Sequence, residues 1–117
     1  MIKVYRFVKK RQDLTMDEFK NYWLTKHGEY GKMLVEKTPV RKITASFTKQ
    51  SLGGKESPFD GMAEIYFDSE QDLGAFLESG LYESSGMQKD EENFADLKVD
   101  LVLVTAEEYV VAERPQK

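Results

Sequence analysis

The sequence predicts a single α+β domain whose elements run strand, helix, strand, strand, helix, strand. Strand-length runs rich in β-branched and aromatic residues lie at 2–9, 40–49, 59–68 and 98–105. Two helix-start signals, at Thr15 and Ser69, each precede a stretch with apolar residues at helical spacing. Pro39, the Gly53-Gly54 pair and Gly80 punctuate the chain between these segments.

Taken in order, residues 2–9 mix Ile, Val, Tyr and Phe with charges, as in a strand with two differently wetted faces. The phase of this strand, and therefore the face that takes Arg6, stays open. Thr15-Met16-Asp17-Glu18 is a capping box: the threonine hydroxyl accepts from the amide three residues on, and Glu18 reaches back to the Thr15 amide. Phe19, Trp23 and His27 then recur every fourth residue, an aromatic stripe ending in an imidazole. Gly28 and Gly31 permit a bend, and Pro39 stops further helix.

Between 40 and 49, Ile43, Ala45 and Phe47 alternate with Thr44, Ser46 and Thr48. The turn-rich run 51–58 reads as a hairpin loop; no Gly-Lys-Ser/Thr follows its double glycine, so it is no phosphate cradle. In 59–68, Gly61, Ala63, Ile65 and Phe67 share one face and Met62, Glu64 and Tyr66 the other. A short second helix follows Ser69, with Leu73, Phe76 and Leu77 as its stripe and Gly80 as its end. The acidic run 90–96 forms another helical turn whose charges are expected to face solvent. Residues 98–105 form the last strand, and Tyr109-Val110-Val111 is a candidate extension.

This order is that of the ferredoxin-like split βαβ arrangement. Both helices should cover one sheet face, against the Ile43/Ala45/Phe47 and Ala63/Ile65/Phe67 sets. The other face, with Met62, Glu64 and Tyr66, is left half apolar and invites a second copy of the chain. Such pairing would bury on the order of 2,000 Å² in total.

Composition removes whole classes of function. A chain of 117 residues suits one domain. Without cysteine there is no disulfide framework, thiolate metal site or cysteine nucleophile. No apolar run is long enough to span a bilayer, and the first residues carry Lys3 and Arg6 and do not read as a secretory signal, so a cytoplasmic location is expected. A net charge of −4 argues against nucleic-acid binding. The basic cluster Lys9-Lys10-Arg11 reads as a solvated strand end.

The run LTMDEFKNYWLTKHGEY resembles the first-helix motif of the EthD-like proteins, named for ethyl tert-butyl ether degradation. FDGMAEIYFDSEQDL resembles that family's third strand and following helix, and DEENFADL its later acidic turn. The resemblance covers nearly the whole chain, apart from the loop at 50–58 and the tail after Val111. It implies a dimeric α+β barrel with a pocket between helices and sheet. The wider fold includes cofactor-free monooxygenases, decarboxylases, polyketide cyclases and haem-degrading enzymes, so the fold alone does not name a reaction. The family pattern carries over to Tyr22, Trp23, His27 and Glu64; Tyr66 departs from it, a tryptophan often standing there.

His27 is the candidate catalyst, because imidazole is matched to proton transfer near neutral pH; capping the end of the helix is the other role its position allows. Tyr22, Trp23, Glu64, Tyr66 and Arg6 are the candidate substrate-binding residues. On spacing alone Trp23 is a core aromatic. Glu64, in mid-strand, needs a partner, for which Arg6 and Lys42 are candidates. One histidine among scattered carboxylates shows no metal-ligand spacing, and haem ligation by His27 is a minor alternative. The expectation is a cofactor-independent enzyme performing acid/base chemistry on a small hydrophobic, aromatic or polyketide-like molecule. The alternative is a protein that binds such a molecule without transforming it.

Overall fold

A computed structural model describes residues 1–99 and 103–116. Four strands, β1 (Ile2–Val8), β2 (Lys42–Phe47), β3 (Gly61–Phe67) and β4 (Leu103–Glu107), form one antiparallel sheet in the order β2-β3-β1-β4. Helices α1 (Met16–Tyr22), α2 (Gly28–Lys37) and α3 (Glu70–Ser79) pack with two single turns, α4 (Leu81–Ser84) and α5 (Met87–Asp90). The ferredoxin-like order expected from the sequence is the order found.

Local chemistry explains the boundaries. The Thr15 box is formed in both directions, with Glu18 N–H donating to the Thr15 hydroxyl at 3.1 Å and the Thr15 amide donating to Glu18 at 2.8 Å. Ser69 accepts from the Asp72 amide at 3.1 Å to start α3, and Gly80, at φ 64°, ends it in the left-handed conformation. Gly28 and Gly31 do not end the first helix. The chain passes from α1 through a π-helical turn, Trp23–His27, straight into α2. Glycine tolerates a bend without forcing one, and the stop comes at Thr38, which precedes Pro39 and is extended at φ −136°.

Register sorts the side chains. Val4 pairs with Ile65 and Arg6 with Ala63 across β1 and β3, and Ile43 and Ala45 of β2 stand opposite the same two residues. This is the face the helices cover, so Arg6 points to the helical side. Lys3, Tyr5 and Phe7 share the other face with Met62, Glu64 and Tyr66.

The last strand is shifted from its expected span of 98–105. Lys98 and Val99 lie in a turn after Asp96, residues 100–102 lie outside the described residues, and the strand itself is Leu103–Glu107. Tyr109, Val110 and Val111 do not extend it and are 77, 73 and 97% exposed. Lys9, Lys10 and Arg11 are half-buried rather than simply solvated: Lys9 pairs with Asp60, Lys10 donates to the Leu14 carbonyl, and Arg11 pairs with Asp13. Among the described residues no helix is long and apolar enough to cross a membrane.

Candidate functional site

The core is divided in two. One apolar cluster centres on Val4, Leu34, Ile65, Phe67 and Phe76, the other on Val8, Phe19, Trp23 and Phe94. A cavity of about 260 Å³ lies between them, walled by the sheet through Val4, Ala63 and Ile65 and by the helical layer through Trp23, Phe76 and Phe94. Among the polar side chains on the wall of this largely apolar space, His27, Arg6, Tyr82 and Glu91 are tied into hydrogen-bonded pairs.

The π-helical turn puts His27 there. In a straight α-helix each step of four residues overshoots a full turn by about 40°, so Phe19, Trp23 and His27 would drift around the axis. The wider turn absorbs part of that drift, and all three are buried on the sheet side, His27 at 6% exposure. Trp23 can lie against the sheet because Gly61 stands beneath it: a Cβ there would come within 2.5 Å of the Trp23 ring and 3.2 Å of Phe19.

The Nδ1 of His27 lies 2.8 Å from Oδ2 of Asp90. A carboxylate can only accept, so Nδ1 carries the hydrogen, and neutral His27 keeps its lone pair on Nε2. The Tyr22 hydroxyl donates to the other Asp90 oxygen at 2.6 Å and the Asn93 amide donates to it at 2.9 Å. Burial pushes the Asp90 carboxyl up, but the hydrogen bonds from Tyr22, His27 and Asn93 outweigh it and hold Asp90 below its ordinary range. Burial and Asp90 both push the Tyr22 hydroxyl up, so it stays a donor. The helix continues through His27, which removes the helix-end cap as its structural role.

Across the cavity, Arg6 Nη2 donates to Glu91 Oε1 at 2.8 Å and Arg6 Nε to Oε2 at 3.3 Å. The Tyr82 hydroxyl donates to the same Oε2. Glu91 is only 4% exposed, and burial together with its charge pushes the Tyr82 hydroxyl well above the ordinary phenol range.

The sequence-derived candidates therefore separate. His27, Trp23 and Arg6 line the cavity; Tyr22 stands behind it, holding Asp90. Glu64 and Tyr66 belong to the opposite sheet face, because alternation along β3 turns them away from Ala63 and Ile65. The partner of Glu64 is neither Arg6 nor Lys42 but Lys3, at 3.0 Å, with Thr44 and Tyr66 also donating to it. Lys3 is 4% exposed and also pairs with Glu108 at 2.6 Å, while Lys42 lies over the Tyr66 ring at 4.4 Å. Burial opposes both charges of this pair, yet the mutual contacts win, leaving Glu64 below and Lys3 above its ordinary range.

Asp90 and Glu91 are the site residues that the sequence reading assigned to solvent. Of that acidic run, Glu92 does face solvent. The available signal was spacing: Met87, Glu91 and Phe94 follow one another at helical intervals of four and three, and all three are buried. Among the described residues no group of His and carboxylate side chains is arranged to hold a metal ion.

Comparison with known proteins agrees with this architecture. An EthD family protein from Bacillus halodurans C-125 is 23% identical, covering 93% of this chain and 99% of its own, with a TM-score of 0.67. An EthD-like protein from Ralstonia eutropha JMP134 is also 23% identical, covering 97% and 94%, with a TM-score of 0.66. A dimeric protein of unknown function and ferredoxin-like fold from Bacteroides fragilis NCTC 9343 is 18% identical over 91% and 94%, with a TM-score of 0.59. No curated protein matches the sequence. The EthD domain description matches residues 11–98, most of the chain including His27, Asp90 and Glu91, and the chain therefore belongs to the EthD family.

Proposed function

We propose that the protein is a cofactor-independent enzyme that holds a small hydrophobic ring molecule in the cavity between helices and sheet and moves a proton through Nε2 of His27. The observation carrying this is the Asp90–His27 pair at 2.8 Å, with the imidazole on the wall of an apolar cavity. Asp90 accepts the hydrogen bond from Nδ1–H and so leaves Nε2 as the base. When Nε2 receives a proton from an acidic C–H or O–H of the ligand, the imidazolium forms beside a carboxylate that is already ionised. Tyr22 and Asn93 keep that carboxylate in place. Trp23 and Phe94 supply flat walls for a ring; Phe94 also packs on His27 at 4.7 Å between ring centres. The cavity exceeds the ~150 Å³ that accommodates benzene, so a ring with a substituent or a second ring fits.

The working unit in this proposal is a homodimer, formed through the sheet face that bears Tyr5, Phe7, Met62 and Tyr66. It is supported by the half-buried aromatic residues on that uncovered face and by the dimeric ferredoxin-like neighbours.

Turnover of a panel of enolisable ring ketones and phenols tests the reading. His27→Ala should lower the rate of any converted compound by about 10²- to 10⁴-fold, the usual contribution of a positioned proton-transfer group. Equal rates would remove His27 from the chemistry. Mass spectrometry of what co-purifies separates turnover from storage, since a ligand recovered and never converted means binding alone.

A further inference from the structure

Arg6 and Glu91 of the cavity wall already pair with each other, and this bears on what can enter. Among the described residues lining it, Arg6 is the one permanent cation, and Glu83 and Glu91 are the anions. The Arg6 guanidinium meets both oxygens of Glu91, and Tyr82 adds a third hydrogen bond to that carboxylate. Asp90 adds a further negative charge directly behind His27.

We infer that Glu91 sets the charge selectivity of the cavity: by locking Arg6 into an internal pair, it makes the site one for uncharged, ring-sized ligands bearing a hydroxyl or an enolisable carbonyl, and turns carboxylates away. The inference rests on the reading of this cavity as the ligand site. A carboxylate ligand that took the Arg6 edge now held by Glu91 would leave that buried anion without this counterion and set a second anion beside it. An uncharged ligand disturbs neither pair. Its O–H can donate to the Nε2 lone pair that the Asp90 contact leaves available. Ala63, the β3 residue paired with Arg6, puts only a small side chain on the cavity wall there.

Isothermal titration calorimetry of the full chain with 2-naphthol, 2-methoxynaphthalene and 2-naphthoate at neutral pH tests this. 2-Naphthol should bind tightest and 2-naphthoate weakest, by at least about tenfold. E91Q, which keeps an acceptor for Arg6 and Tyr82 but removes the charge, should tighten 2-naphthoate by about tenfold or more while changing 2-naphthol by less than about threefold. If E91Q fails to fold, R6Q/E91Q removes the pair together and should still prefer 2-naphthol. Wild-type binding of 2-naphthoate as tight as that of 2-naphthol, or an unchanged preference in folded E91Q, overturns the selectivity role of Glu91. Failure of all three naphthalenes to bind the wild type overturns instead the ligand-site reading beneath it.

Discussion

At the scale of single residues, Asp90 joins three separate segments through one side chain. It accepts from Tyr22 on α1, from His27 on the π-helical turn and from Asn93 just beyond α5. Replacing it by Asn offers His27 Nδ1 a group that can donate as well as accept, so the imidazole loses its fixed tautomer. Asp90→Asn should therefore lower turnover about as much as loss of His27 itself, by roughly 10²-fold or more, with little change in ligand affinity; steady-state kinetics beside calorimetry would show the split. The same residue predicts an acid limb of stability. Asp90 is held below its ordinary range in the folded protein, so the unfolded chain binds its proton first as the pH falls. Its contribution is complete above the unfolded carboxylate range and is lost as the pH drops through the folded value. Urea unfolding across an acid pH series should show a shallower loss for Asp90→Asn than for the wild type.

At the scale of elements, the contact between the first helical segment and β3 depends on an absent side chain. Gly61 lies under Trp23 and Phe19 near the start of β3, where a Cβ would sit 2.5 Å from the indole. Trp23 is held from its other sides by Phe47 and Phe94, both within 5.5 Å between ring centres, so it has little room to yield. Gly61→Ala should destabilise the protein by about 1–3 kcal/mol through overpacking. Because Trp23 is the one tryptophan, its near-ultraviolet circular dichroism should change in the same variant. Calorimetry giving a wild-type melting temperature together with an unchanged spectrum would show that the helix shifts freely over the sheet.

At the scale of the whole molecule, the sheet carries two different surfaces. The helical side holds the divided core and the cavity; the other side holds Lys3, Glu64, Lys42 and Tyr66 in a paired network beside Tyr5, Phe7 and Met62. A buried ion pair adds little stability over apolar packing. Met62→Asp places a charge among the apolar part of that face without touching the cavity; under the proposed homodimer, light scattering at micromolar concentration should give about twice the 13.5 kDa chain mass for the wild type and a mass nearer the single chain for the variant. A single-chain mass for the wild type would overturn the proposed dimer, and an unchanged doubled mass in the variant would remove this face from its contact.

What the sequence determined by itself rested on neighbours along the chain. Strand alternation put Ile43, Ala45, Phe47, Ala63, Ile65 and Phe67 against the helices, and the Thr15 and Ser69 signals marked helix starts that the structure keeps. Spacing also identified the stripe Phe19, Trp23 and His27. The tertiary structure decided the partners of each candidate, because those contacts join residues 63 positions apart for His27 and Asp90, and 85 apart for Arg6 and Glu91. Local patterning carries no record of such pairings: an acidic run looks solvated until Met87 and Phe94 anchor it in the core and turn Glu91 inward. The phase of β1 was equally undetermined from its own mixed sequence. Only pairing with β3 placed Arg6 on the cavity side and Lys3 against Glu64, since a shift of one residue exchanges the two faces of a strand.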